Sequence, residues 1–535
     1  LRSITASELK KRLSSGDEHA ILDVRREGEF AQGHLFFASN VPRSTLELKI
    51  ERLVPRKSVP ITLYGSSEAE AEDAARSLEH FGYDDIAILR GGTEGWIKDG
   101  GQLFGGLNVP SKAFGEFVEH ASGTPHIAPQ ALHDLLERKS NMIVLDSRPF
   151  AEYQNMNIPG SLDCPGAELV ARIDAYLRDP ETLVVVNCAG RTRSIMGAQS
   201  LIDAGIPNRV VALRDGTMGW HLAGFSLERG QTRRAGRPSH QSIETARRRA
   251  EGIANRANVQ MLDSDELEAL LSKIPSDTRY VFDVRDPEEY LEGHRVGVIS
   301  APGAQLVQTF DTLVAVRNAF IVVTDDDGTR APITAAWLKQ MGEKNVVCAI
   351  DKNKQSKLPP PMPPGLSAIA ESARKIEPEE LQTGIAANQV MLIDIANSKE
   401  YARAHIEGAL FCERHELEKF IRDADGRMVV LTSPDGLLAT VAAADRQGAG
   451  YNLAALNGGT AAWKNAGRKL ENGRGNLPDN PSDVYYRPYD LSGNQESAMQ
   501  AYLDWEKDLL AKTEHEPGVS FWRAQKEHEN REEIR

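Results

Sequence analysis

Apolar residues in this chain gather in short runs, each closed by a polar turn and followed by a stretch of helical spacing. MIVLD from Met142 and LVVVN from Leu183 are continuous apolar runs of strand length, the pattern of strands buried on both faces. AELVARIDAYL from Ala167 and SIMGAQSLIDAG from Ser194 place apolar residues at helical spacing. The second ends at Gly205, which suits a helix C-cap. Strand, helix, strand, helix predicts a parallel sheet covered by helices on both faces. Functional loops in such sheets lie at the carboxyl ends of strands. One such end reads NCAGRTRS, from Asn187 to Ser194.

The unit recurs. An apolar strand ending in Asp, a polar turn and an aromatic reads ILDVRREGEFAQGH from Ile21 and VLDSRPFAEYQNMNIPG from Val144. It returns as VFDVRDPEEYLEGH from Val281 and LIDIANSKEYARAHIEGA from Leu392. A second pattern follows in three copies: RGGTEGWIKDG from Arg90, RDGTMGWHLAG from Arg214 and LNGGTAAWKNAG from Leu456. The third copy has CAIDKNKQ from Cys348 instead. Repeats more than 100 residues apart are whole domains. The expected α/β domains span 1–105, 126–232, 259–353 and 376–474, with a helical tail over 475–535. Trp505 and Trp522 in that tail suggest a strap packed on domain surfaces. Linker composition marks the Gly-rich run around Gly105, the Arg-rich stretch Arg233–Arg256 and KLPPPMPPG from Lys357. The basic ARRRAEG within the second reads as a solvated helix face.

A length of 535 residues allows about three to five domains. The net charge of −14 argues against a general nucleic-acid or membrane-surface binder. No run approaches the roughly 18–20 apolar residues of a membrane span, and no basic-then-apolar leader opens the chain. The four cysteines, Cys164, Cys188, Cys348 and Cys412, show no CxxC or paired spacing. They form no disulfide framework or zinc site and fit the reducing cytoplasm. No glycine-rich nucleotide fingerprint is present, and neither metal nor cofactor is expected.

The loop carries the chemistry. A turn running into a helix points successive backbone N–H groups inward, and the helix dipole adds positive potential. A thiol in that cradle is expected to have a lowered pKa and to act as a nucleophile. Cys188 is that thiol. Ala189, Gly190, Arg191, Thr192, Arg193 and Ser194 are the candidate substrate-binding residues. Gly190 would allow a tight path, and Ser194 would start the helix. Arg193 would shape the cradle and hold the thiolate charge, while Arg191 would project toward the pocket mouth and receive an anionic donor.

The DVR…EY…GH…PG signature, the GG…GW…G signature and the strand–Cys-loop–helix resemble the rhodanese sulfurtransferase family, in four tandem copies over nearly all of 1–474. The resemblance implies a persulfide on Cys188 and transfer of sulfane sulfur from a small anionic donor such as thiosulfate. The acceptor would be cyanide or a thiol, and a protein could serve in that role. The family loop often reads Cys-x-x-Gly-x-Arg-Ser. This chain keeps Arg193 and Ser194 but has Arg191 at the usual glycine position. Alignment from the downstream helix puts Gly65, Asp325 and Ser433 at the cysteine position, so those three copies are expected to be inactive. Asp146 and Arg148 belong to a signature that persists without the thiol and are expected to be structural. His34, His294 and His405 share the GH position, where the second copy has Asn157, so no catalytic histidine is expected there. Trp96, Trp220 and Trp463 recur as core or cap residues. Cys164 is either a resolving thiol or a spectator. Two other readings stand beside sulfur transfer. Cysteine phosphatases of similar fold place five residues between Cys and Arg, where this loop has four. A binding scaffold would use all four copies only for docking.

Overall fold

The computed structural model describes residues 2–273, 278–446, 450–491 and 493–524. The chain divides into two units. One comprises Leu1–Leu9, Ala20–Gly106 and Pro361–Tyr486, the other Lys10–His19, Leu107–Pro360 and Arg487–Arg535.

The first unit holds two parallel sheets. One sets Arg2–Ile4 beside Ile86–Leu89, then Ile61–Tyr64, His19–Asp23 and Ser39–Asn40. The other runs Lys375–Ile376, Leu453–Leu456, Met428–Thr432, Val390–Asp394 and Leu410–Phe411.

In the second unit, helix α1 (Val109–Ser122) precedes a parallel sheet of β1 (His126–Ile127), β2 (Met142–Asp146), β3 (Leu162–Asp163), β4 (Leu183–Asn187) and β5 (Val210–Leu213). Their spatial order is β1-β5-β4-β2-β3, so β4 is central. Its residues Val184, Val185 and Val186 are fully buried, as the continuous apolar run requires. Each such valine contributes about 1.5–3 kcal/mol by leaving water. Helix α2 (Thr192–Asp203) follows β4, and α3 (Gly216–Leu222) follows β5. Gly205, with φ +75, lies just past α2. A further parallel sheet in this unit runs Gln260–Leu262, Val346–Ile350, Phe320–Asp325, Arg279–Asp283 and Ile299–Ser300. No described counterpart of α3 follows Val346–Ile350; the next helix is Pro364–Ser372.

The repeated signatures brace these domains. Arg148 donates to Asp146 through Nε at 2.8 Å and Nη2 at 2.7 Å, and reaches the Met156 carbonyl at 2.6 Å. Arg25–Asp23 and Arg285–Asp283 repeat the arrangement onto the Gly33 and Gly293 carbonyls. The fourth copy has Ala396 in place of the arginine, and burial then lifts the Asp394 carboxyl to about 7. His34, His294 and His405 stack on Phe30, Tyr290 and Tyr401 at 3.7, 3.7 and 4.0 Å between ring centroids. Asn157 bonds the Tyr153 carbonyl instead. The three tryptophans each cap a turn six residues ahead, donating to the carbonyls of Gln102, Ser226 and Lys469.

One segment read as a linker contains an ordered helix, and another leads straight into one. Directly after the glycine run, α1 buries nearly everything from Val109 to Glu116. The Arg-rich stretch contains a helix, His240–Arg256. Its Arg249 pairs with Asp174 at 2.6 Å and Arg247 bonds the Asp327 carbonyl at 2.6 Å, so it is not simply a solvated face. The tail forms a strap: α4 (Gln495–Lys512) buries Met499, Leu503 and Leu509. Residues 525–535 of the expected tail lie outside the described residues. Among the described residues, no helix is long and apolar enough to cross a membrane.

Candidate functional site

Cys188 sits one residue past central strand β4, where the loop turns into α2. The loop is fixed from below by the start of α3. The Thr217 N–H donates to the Cys188 carbonyl at 2.8 Å, and Met218 N–H to the Ala189 carbonyl at 3.0 Å. Gly216 permits this approach, since a Cβ there would lie 2.5 Å from the Cys188 and Gly190 carbonyl oxygens. Asn187 ties the corner to Asp146 at 2.9 Å and to the Thr217 hydroxyl at 3.1 Å. The Cys188 S–H donates to Ser194 Oγ at 3.4 Å, and that hydroxyl donates to the Arg191 carbonyl at 2.8 Å. The N-cap residue of α2, Arg191, makes no side-chain cap.

The expectation of a lowered thiol pKa is overturned. Cys188 is only 2 % exposed, and burial raises its pKa above the usual thiol value. Arg193 and the Ser194 hydroxyl and N–H pull it down, while the Glu506 carboxylate pushes it further up. Desolvation outweighs the favourable cradle.

The arginines also differ from expectation. Arg191 does not project toward a pocket mouth. It is buried, with Nε and Nη2 on Glu116 at 2.7 and 2.8 Å, Nη1 on Asp215 at 3.0 Å, and a further bond to Glu119. Three carboxylates spend its charge, so it anchors the loop to α1. Burial, opposed by Arg191, still leaves the Glu116 carboxyl raised to about 7. Arg193 makes a two-pronged pair with Glu152, at 3.0 and 2.8 Å. Burial raises Glu152, but Arg193, ahead of Arg487 and Arg148, brings it down to about 2. Gly190 has no left-handed backbone. Its missing side chain instead admits the strap, since a Cβ would lie 3.1 Å from Glu506 Oε2 and 3.4 Å from the Tyr502 ring.

Several residues at this site carried no local signal. Glu506 on α4 is 1 % exposed; its Oε1 accepts from the Thr192 hydroxyl at 2.6 Å, and its Oε2 has no hydrogen-bond partner among the described residues. Lys112 on α1 donates to the Leu107 carbonyl at 2.7 Å beneath the rings of Tyr502 and Trp505, at 4.9 and 4.7 Å. Burial, opposed by Glu506 and Asp311, lowers its pKa to about 8. Glu116 and Lys112 stand among apolar residues at helical spacing, which is the one sequence signal that α1 offered.

Cys164 is 1 % exposed and strongly raised by burial; its charged neighbours are Arg172, Glu168 and Asp163. The other three copies fill the equivalent corner with their own oxygen. Asp325 accepts from the N–H groups of Gly328, Arg330 and Ala331 at 2.7, 2.7 and 2.9 Å. Glu70 Oε2 accepts from Ser66 N–H at 2.8 Å beside Gly65. Ser433 Oγ accepts from Ala439 N–H at 3.2 Å.

The fold and this corner define a class: α/β domains built around a strand-to-helix loop, repeated in tandem, with a cysteine in one loop. The chain belongs to the rhodanese family, since the Rhodanese-like domain model matches residues 5–99, 128–223, 263–352 and 377–466. Its structure matches a thiosulfate sulfurtransferase from Pseudomonas aeruginosa with a TM-score of 0.89 and 42 % identity, covering 98 % of this chain and 100 % of that one. A sulfurtransferase of Allochromatium vinosum is 26 % identical over 19 % of this chain and 92 % of its own length. A putative sulfur carrier protein of Bacillus subtilis is 26 % identical over 23 % of this chain and 72 % of its own.

Proposed function

We propose that the chain is a sulfurtransferase that moves a sulfane sulfur from thiosulfate, or a donor of the same anionic type, to cyanide or another thiol through a persulfide on Cys188. One observation carries the reading. Of four equivalent corners, Cys188 alone sets a sulfur where the others set an oxygen of their own chain. The likeness to a thiosulfate sulfurtransferase over nearly the whole chain supports the choice of donor.

The Cys188 thiol first gives its proton to water, leaving the thiolate. The thiolate lone pair then forms a bond to the outer sulfur of thiosulfate, and the bond to the inner sulfur breaks with its electrons on departing sulfite. The acceptor's lone pair next attacks the outer persulfide sulfur, and Cys188 leaves as thiolate. Arg193 stabilises the anionic sulfur at each stage, a covalent two-step scheme assisted by fixed charge. Cys164 stays outside the reaction. The four free, buried thiols fit a reducing compartment such as the cytoplasm.

Intact mass spectrometry tests the reading. Thiosulfate should add one sulfur atom per chain, cyanide should remove it, and Cys188→Ser should show neither adduct nor turnover. An adduct persisting in Cys188→Ser would refute the assignment.

A further inference from the structure

An anionic donor must be met by positive charge, and neither loop arginine is free of carboxylates to receive it. Arg191 faces three carboxylates and Arg193 is matched by Glu152. Lys112 is buried beneath two aromatic rings. Glu506 adds a negative charge against the loop itself. The strap brings a further cation. Arg487 lies just ahead of the short turn Pro488–Asp490 that leads toward α4. It is exposed, and its guanidinium donates from Nη1 to the Tyr489 hydroxyl at 2.8 Å. No carboxylate lies within ion-pair distance of that guanidinium among the described residues; Asp490 accepts from the Arg487 backbone N–H at 3.0 Å. Most of its five N–H donors are therefore open to a ligand.

Position ties this cation to the reacting corner. Tyr489 packs against the cluster of Met218, Met499 and Leu503. Met218 is the residue whose N–H holds the Ala189 carbonyl next to Cys188. The charge on Arg487 is felt by Glu152, Lys112 and Arg193, and Arg193 in turn acts on the Cys188 thiol.

We infer that Arg487, aimed by Tyr489, is the residue that receives the anionic sulfur donor, so that the strap completes the substrate site of the second domain. This deepens the sulfur-transfer reading and takes its meaning from it. Arg487 supplies the steering role that the sequence suggested for Arg191, and Arg193 holds the sulfur charge after attack.

The test compares alkylation of Cys188 in the full chain by iodoacetate, an anion, and by iodoacetamide, its neutral analogue, at low ionic strength. Arg487→Ala should lower the ratio of the two rates roughly three- to tenfold. Arg487→Lys should restore most of it, and added salt should erase the difference. With thiosulfate, Arg487→Ala should raise the apparent KM about tenfold and move kcat less than twofold. Tyr489→Phe, which keeps the ring, should give a smaller rise in KM. An unchanged reagent ratio in Arg487→Ala and in Arg487→Gln overturns the inference, and so does a loss of kcat with KM unchanged. Failure of wild-type Cys188 to take sulfur from thiosulfate overturns the sulfur-transfer reading instead, and the reagent ratio still decides the role of Arg487.

Discussion

The second and third copies build the same corner and finish it in opposite ways. In the third, Asp325 folds its carboxylate back onto three N–H groups of its own loop. Arg330, aligned with Arg193, is matched by Glu168, Glu289 and Asp327. The carboxylate and the arginine of that corner are thus both matched within the chain. In the second copy the N-cap residue Arg191 makes no side-chain cap on α2, and the Cys188 S–H donates to one serine hydroxyl. The corner is also pinned from α3, whereas in the third copy the Asp351 N–H holds the Asp325 carbonyl. A rhodanese-type corner is thus a cradle for negative charge. In the third copy a carboxylate from within the chain fills it, and in the second a thiol stands in that place.

Exchanging the two residues tests this most severely. Cys188→Asp should abolish sulfur loading and turnover completely while the chain stays folded, because the carboxylate can accept the N–H groups that it meets in the third copy. Asp325→Cys should gain no loading, since Arg330 has no charge left to offer. A persulfide on that new thiol, seen by mass spectrometry of Cys188→Ser/Asp325→Cys, would show that the thiol alone separates the two corners.

Next in size is the split between the two loop arginines. Arg193→Ala should slow loading roughly ten- to a hundredfold and move the alkylation profile of Cys188 to higher pH. Arg191→Ala should instead destabilise the fold by about 3–5 kcal/mol, because Glu116, Glu119 and Asp215 lose a buried counter-charge. Its KM for thiosulfate should stay within twofold of wild type. Thermal unfolding and steady-state kinetics on both variants check this, and equal behaviour would contradict the geometry.

The smallest change sharpens the contrast at the strap. The Glu506 carboxylate opposes thiolate formation, so Glu506→Gln should lower the Cys188 pKa. The variant keeps an oxygen for the Thr192 bond. Alkylation by iodoacetamide at neutral pH should rise severalfold, with the profile displaced toward lower pH. A displacement toward higher pH would mean that Glu506 assists the thiol.

Much of this was legible in the chain. Continuous apolar runs on Val184–Val186 and helical spacing after Ser194 gave strand and helix, because both are local periodicities. The repeated Asp, aromatic and glycine positions revealed four copies, since equal folds need equal bracing. NCAGRTRS stood out as a strand end carrying a thiol, and Gly65, Asp325 and Ser433 marked the other corners. The error over Arg191 had a physical source: a motif shows a charge but not the charges opposite it.

Sequence alone determined the α/β class, the four-fold repetition and the singular position of Cys188, because each rests on neighbours along the chain. Tertiary structure decided the electrostatics. Arg191 meets Glu116 across 75 residues of sequence, and Thr192 meets Glu506 across 314. Burial, which turns the thiol pKa upward, exists only once α1 and the strap have closed over the loop. Desolvation and long-range pairing act through space, so no stretch of residues could have announced them.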